Sequence, residues 1–393
     1  MLSTKTALIL DGEQRSALAA TRNLGKHGVT VFTASTDQHC LSSKSKFSTQ
    51  HFIYPDPQNH PEQFLSWLLE LTSTTEIDII FPMTEVTCYT LAPYSPLLNN
   101  SILPIPTLEK IFTLSNKSEL MKTAQSLNIP IPNTIYIHNS ADIDANLSTI
   151  TFPCVIKPSF SKHKSGNRWV STAVHMVANK PQLIQLLDST DYLRTQSFMI
   201  QEYIEGEGQG IFSLYNSGQD IAWFAHKRIR EKPPWGGVSV LSTSINPPPN
   251  MVDISKKLLE HAQWSGVAMV EFKIAKDGTP YIMEVNTRFW GSLQLAIDSG
   301  VEFPYLLYAT NTNNTYPAPI QITGTTLRWV LGDLDNLAIV LKSNASLKSK
   351  IASTCSFIFC FFQSNRNETL RLNDIGPGLF ELKEYFLANI FKQ

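Results

Sequence analysis

Hydrophobic positions in the first hundred residues fall in short solid runs separated by helix-spaced segments. Ala7-Leu8-Ile9-Leu10 is an apolar run of strand length. The stretch from about Arg15 to His27 has helical spacing and stops at Gly28. Val29-Thr30-Val31-Phe32 predicts the next strand, residues 63–71 a helix, and 77–82 another strand. Solid apolar strands alternating with helices predict parallel pairing in a doubly wound sheet. The turn Asp11-Gly12-Glu13 lacks the spaced glycines of a dinucleotide fingerprint, so NAD binding has no support.

The pattern changes after Pro104 and Pro106. A helix is predicted over about 118–127, closed by Asn128 and Pro130-Ile131-Pro132. Residues 152–158 read as a buried strand with Lys157 near its end. Residues 159–168 are polar, with Lys162, Lys164, Arg168 and one glycine, and predict a mobile loop. Strands follow at 198–204, 211–215 and 221–226. Pro233-Pro234 and Pro247 to Pro249 bracket a loop containing Gly236-Gly237. A helix over about 252–264 leads into residues 267–286. Beyond about residue 311 the periodicity weakens, and no internal repeat is visible.

Composition narrows the class. The chain has 393 residues, 42% hydrophobic and 17% charged, enough for two or three domains. Its net charge of -1 offers no basic excess for a nucleic-acid backbone. The longest unbroken apolar run, at 357–362, is far below the roughly 20 residues that span a bilayer, so no membrane partner is expected. The first residues lack the apolar core of a secretory signal. Five scattered cysteines without metal spacing predict reduced thiols and a cytoplasmic protein.

The most informative stretch is 267–286, two strand runs around Asp277-Gly278. Read as a two-residue turn, this pair places Glu271 opposite Glu284 and Met269 opposite Asn286. Alternation then puts Glu271, Glu284 and Asn286 on one face. Val270, Phe272, Ile274, Tyr281, Met283 and Val285 form an apolar face on the other side. Opposed carboxylates lie about 5 Å apart at Cβ and repel. A cation between them turns that cost into a site, and Mg²⁺ prefers such oxygen ligands with nucleotide phosphates. Two solvated glutamates on an exposed hairpin are the alternative, and a bulged three-residue loop would change the pairing.

These residues carry a resemblance. Glu271 followed by Glu284-Val285-Asn286-Thr287-Arg288 resembles the metal signature of ATP-grasp enzymes, a group that includes biotin carboxylase and carbamoyl-phosphate synthase. The strings HKRIREKPPWGGVS (226–239) and EVNTRFWGSLQLAIDSGVEFP (284–304) resemble the short stand-alone carbamoyl-phosphate-synthase-like members. The resemblance covers roughly 105–305. It implies an α/β ATP-grasp fold: a Rossmann-like domain at 1–105, a small lid domain at 106–197, a large domain at 198–315 and a C-terminal appendage at 316–393.

Residue by residue, Glu271, Glu284 and Asn286 resemble the metal ligands. Lys117 and Lys157 resemble the two phosphate-binding lysines. Glu202, Tyr203 and Ile204 resemble the adenine hinge, and Glu207 the ribose carboxylate. Arg288 resembles the arginine beside the transferred phosphate, and an arginine fork suits an oxyanion. Arg228 and Arg230, placed together by alternation, read as a second phosphate or carboxylate contact, and Thr84-Glu85 as part of an acceptor pocket. The loop at 159–168 departs from the family in having only Gly166. Lys162, Lys164 and Arg168 then replace backbone donors with charge.

The implied activity is ATP- and Mg²⁺-dependent ligation, with Mn²⁺ as a substitute metal. A carboxylate is activated as an acyl phosphate and taken by an amine or amino acid. Bicarbonate activation and a non-catalytic nucleotide sensor are the alternatives. The expected partners are small-molecule carboxylate and amine substrates, and a homodimer is left open.

Overall fold

The computed structural model describes residues 5–98, 101–138 and 140–390. Four parallel strands form the N-terminal sheet, in the order Ser48–Ile53, Thr30–Ser35, Thr6–Ile9, Ile79–Phe81. Ala7 to Leu10 are fully buried, as a parallel strand covered on both faces requires. The helices Arg15–Lys26, Pro61–Thr74 and Glu85–Leu91 supply the covering. The polar edge strand Ser48–Ile53 is additional to the expected pattern.

A second sheet of four antiparallel strands runs Thr134–Ile137, Phe198–Glu202, Cys154–Pro158, His175–Val177. Its own core includes Ile137, Ile156, Leu183, Phe198 and Ile200. The strand Phe198–Glu202, expected to open the large domain, pairs within this second sheet. Helices Leu108–Ser115 and Lys117–Ser126, expected in the small domain, pack on Pro280–Asn286. They share a core with Phe272, Ile282 and Val285.

The large sheet has seven strands, ordered Pro280–Asn286, Gly266–Ala275, Gly206–Asn216, Gln219–Lys232, Val238–Ile245, Thr326–Arg328, Arg366–Asn367. Phe212, Phe224 and Met269 share a core with Ala17, Ala20 and Leu24 of the first helix. Glu271 follows Met269 by one alternation, so this face of the sheet is closed by the N-terminal domain on one side and carries the glutamates on the other.

The described part of the C-terminal segment, residues 316–390, is tied into both sheets' surroundings. Two of its strands extend the large sheet. Buried Arg22 donates to the carbonyls of Glu368 and Thr369 and, at 2.7 Å, to the Asp374 carboxylate. The polar stretch after Pro158 is also ordered: Lys162–Ser165 and Arg168–Ser171 pair as a hairpin. It is docked on the N-terminal domain by Trp169, whose N–H donates to the Gln58 carbonyl and whose indole donates to Thr90.

Candidate active site

The glutamates do face each other, by a different route from the one expected. Lys276, Asp277 and Gly278 form a three-residue loop. Gly278 N–H donates to the Ala275 carbonyl at 2.9 Å and Ala275 N–H to the Thr279 carbonyl at 3.0 Å. Gly278 takes φ +87°, which glycine adopts without a Cβ clash. The pairing slips by one residue, with Phe272 opposite Ile282 and Lys273 opposite Tyr281. An extra residue, Met283, restores it, so Glu271 faces Glu284 and Met269 faces Asn286.

The bulge changes which side chains reach the site. Ile282 and Val285 both turn to the core. Met283 and Glu284 both line a cavity of about 560 Å³ on the other face. Tyr281 and Met283 are thus removed from the expected apolar face, and Ile282 joins it. Met283 lies under Lys157, with Nζ–Sδ at 3.6 Å.

Each carboxylate already has a cation. Arg228 reaches across the strand Gly206–Asn216 and grips Glu271 with two contacts, Nη1–Oε1 at 3.0 Å and Nη2–Oε2 at 2.5 Å. Lys117 Nζ stands 3.3 Å from Glu284 Oε2, and Asn286 donates to Glu284 Oε1 at 3.1 Å. Lys117 also donates to Ser161 at 2.8 Å.

The charges shift accordingly. Burial opposes ionisation of Glu284, but Lys117 and Lys157 outweigh it and hold the carboxyl down at about 2. Burial raises Glu271, against the pull of Arg228 and with the Glu284 charge adding to the rise. Desolvation brings Lys157 down to about 8, with Glu284 resisting. Lys157 is 8% exposed.

The other expected residues divide. Glu202, Tyr203 and Ile204 line the same cavity, next to Val155 and Lys157. The Glu202 carboxylate accepts from Asn133 N–H at 3.0 Å and from its amide at 2.9 Å. Arg288 lines the cavity, donates to the Phe289 carbonyl at 2.8 Å and lies 3.6 Å from Glu85, which brings the expected Glu85 segment to the site.

Glu207 is not brought in. It opposes Ile274, on the opposite face from Glu271, and pairs at 3.8 Å with Lys227. Arg230 is also diverted. An irregular register around Ile229 breaks the alternation, and Arg230 binds Asp333 at 2.7 and 2.6 Å. The basic residues of the 162–171 hairpin line no part of the cavity; Lys162 is held by Gln58 and Ser171.

Further lining residues went unrecognised in the sequence. Arg15 enters from the first helix of the N-terminal domain, held by Glu368 and lying 3.9 Å over the Trp329 ring. No local pattern marks it, because both partners lie more than three hundred residues away. His226, 1% exposed, lines the cavity as a neutral core histidine between Phe212 and Phe224.

Among the described residues there is no group of three or more His, Cys, Asp and Glu that could hold a metal alone. Two glutamates and an asparagine on one face fit a hard cation that takes its remaining ligands from water and phosphate. Their present compensation by Arg228 and Lys117 shows that the place calls for positive charge.

A small antiparallel sheet beside a larger, mostly antiparallel one, with paired carboxylates lining the cavity they share, is the ATP-grasp fold. Residues 194–331 match the family model described as ATP-grasp in the biosynthetic pathway with Ter operon. L-amino acid ligase from Bacillus licheniformis superposes with a TM-score of 0.62 at 17% identity, over 81% of this chain and 75% of that one. N5-carboxyaminoimidazole ribonucleotide synthetase, solved as an ADP complex, gives 0.67 at 12% identity, over 93% and 99%. The biotin carboxylase domain of Hydrogenobacter thermophilus 2-oxoglutarate carboxylase, with MgADP, ADP and bicarbonate, gives 0.61 at 13%, over 81% and 72%. No curated protein sequence gives a match. No helix among the described residues is long and apolar enough to cross a membrane.

Proposed function

We propose that this protein is an ATP- and Mg²⁺-dependent carboxylate–amine ligase. The observation that carries the proposal is the meeting of Lys117, Lys157, Glu271, Glu284, Asn286 and Arg288 around one cavity. The hinge residues Glu202 to Ile204 would hold the adenine end of ATP. Lys157, desolvated and without a hydrogen-bonded carboxylate of its own, is placed to meet phosphate oxygens. Glu271, Glu284 and Asn286 would hold Mg²⁺, or Mn²⁺ in its place. Bound there, the ion supplies charge neutralisation for phosphoryl transfer.

The chain's own residues then orient and stabilise. A carboxylate oxygen of the acid substrate attacks the γ-phosphorus and ADP leaves. The amine attacks the acyl carbon, and inorganic phosphate leaves with the former carboxylate oxygen. Arg288 stands where negative charge collects in both steps. No protein nucleophile is required. The substrates are small carboxylates and amines. Four of the five free cysteines are buried, which suits a reducing cytoplasmic compartment.

The test is ADP release across a panel of carboxylates and amino acids, with bicarbonate as control and mass spectrometry of the product. Amide formation with stoichiometric ADP supports the ligase. ADP release with bicarbonate alone assigns the site to bicarbonate activation. Nucleotide binding without turnover under any combination would leave a sensor.

A further inference from the structure

The helix Leu347–Phe359 has no buried residue. Its inward contacts are polar or anchored by arginine. Ser356 Oγ and Cys360 Sγ accept from Arg230, at 2.9 and 3.2 Å. Arg328 donates to the Phe357 carbonyl at 2.9 Å and lies over the Phe357 and Phe361 rings, at 4.4 and 4.2 Å. These anchors fix the helix rotation and direct its apolar stripe outward. Leu347, Ile351, Cys355 and Ile358 follow at helical spacing, with Phe359 beside them and Phe362 just beyond the helix. Leu347 is 74% exposed, Phe359 61% and Phe362 81%.

Along the chain, the charges flanking this stripe have one sign. Between Asp335 and Glu368 the chain contains no acidic residue and carries Lys342, Lys348, Lys350 and Arg366. Arg366 pairs with Asp298 at 3.7 Å. Among the described residues the three lysines form no ion pair. Burying the stripe in a second copy around a twofold axis would set these lysines against themselves. The face is a helix and the turn that follows it, so it offers no strand edge to a partner. Outward aromatic and aliphatic side chains flanked by uncompensated lysines complement an anionic bilayer surface.

We infer that the segment 342–362 is an interfacial membrane-binding element that seats Phe359, Phe362, Leu347 and Ile351 among the lipids of an anionic membrane. It lies in the plane of the interface and spans nothing, which revises the expectation of no membrane partner. The inference is independent of the reaction the active site performs.

The test is co-sedimentation of the full-length protein with extruded vesicles of phosphatidylcholine alone and of phosphatidylcholine mixed with phosphatidylglycerol. The protein should pellet with the mixed vesicles, far less with neutral ones, and progressively less as salt rises. Phe359→Ser with Phe362→Ser should weaken binding by about tenfold or more for each ring withdrawn. Its melting temperature should change little, because both rings are mostly exposed. Lys342→Gln, Lys348→Gln and Lys350→Gln together should abolish the preference for the anionic mixture. An environment-sensitive fluorophore on Cys355, the one exposed cysteine of the five, should shift to the blue when mixed vesicles are added. Wild-type protein that stays in the supernatant with both vesicles, or that binds both equally at all salt concentrations, overturns the inference. So does a dimer that the phenylalanine variant dissociates without any vesicle binding, which would assign the face to a second copy.

Discussion

Glu271 and Glu284 stand opposite each other on neighbouring strands, yet each is held by a different cation, Arg228 on one side and Lys117 on the other. The pair is a compensated one, and the compensation decides what its substitutions do. On the sequence alone, Glu284→Gln should relieve a repulsion and raise the melting temperature. The structure reverses that expectation, because the substitution removes the counter-charge of Lys117 and Lys157. The variant should fold, melt below the wild type without nucleotide, and lose Mg²⁺-dependent turnover. A melting curve and an ADP-release rate on the same preparation check it. Wild-type turnover in the variant would remove the metal-site assignment.

Lys157 is buried with a thioether as its hydrogen-bond partner. Lys157→Met should weaken ATP binding by about 1.5–3 kcal/mol, the usual size of a charged hydrogen bond, while the empty protein still folds, with a small drop in melting temperature because Lys117 remains beside Glu284. Calorimetric titration measures the first and thermal unfolding the second. Equal affinity in both proteins would place the phosphates elsewhere.

Arg228 and Glu271 are both largely shielded, at 11% and 19% side-chain exposure. Arg228→Ala strands a buried carboxylate, and breaking such a pair costs roughly 3–5 kcal/mol. Added Mg²⁺ and ADP should recover part of this loss, so the nucleotide-induced rise in melting temperature should be larger in the variant than in the wild type. An equal rise in both would show that no cation takes over Glu271.

His226 gives a pH signature. Burial, and then Arg228, push its imidazole down to about 3. In the unfolded chain it titrates near 6.5. Between those values the unfolded state binds a proton that the native state does not, so the His226 contribution is present above about 6.5 and lost as pH falls toward 3. His226→Gln should flatten the acid side of the stability profile. Parallel wild-type and variant curves, followed by denaturant unfolding from neutral to acid pH, would contradict this placement.

The sequence made visible whatever local pattern encodes. The run Ala7 to Leu10 could only be a strand covered on both faces, and the lone Lys157 after Val155-Ile156 announced a buried charge. The opposition of Glu271 and Glu284 was legible too, although two departures cancel to produce it. The extra loop residue shifts the register and the Met283 bulge shifts it back, and neither has a marker that a propensity argument can weigh. Glu207 was misplaced because its face depends on a register with Ile274, which follows only after two further strands and a helix. Arg230 was misplaced because Asp333, about a hundred residues on, outcompetes the site for it. Arg15 was invisible for the same reason, and the 162–171 hairpin is ordered by contacts of Trp169 with Gln58 and Thr90 that no local reading contains.

A carboxylate activated by phosphorylation passes one of its oxygens to phosphate, and oxygen transfer reads that step itself. The protein is incubated with Mg-ATP, an amine panel and acids labelled with ¹⁸O in the carboxylate, and the inorganic phosphate is analysed by mass spectrometry. One ¹⁸O should appear in the phosphate for each amide formed, and none with Glu284→Gln. Amide formed with unlabelled phosphate, or label transferred equally by the variant, would contradict it.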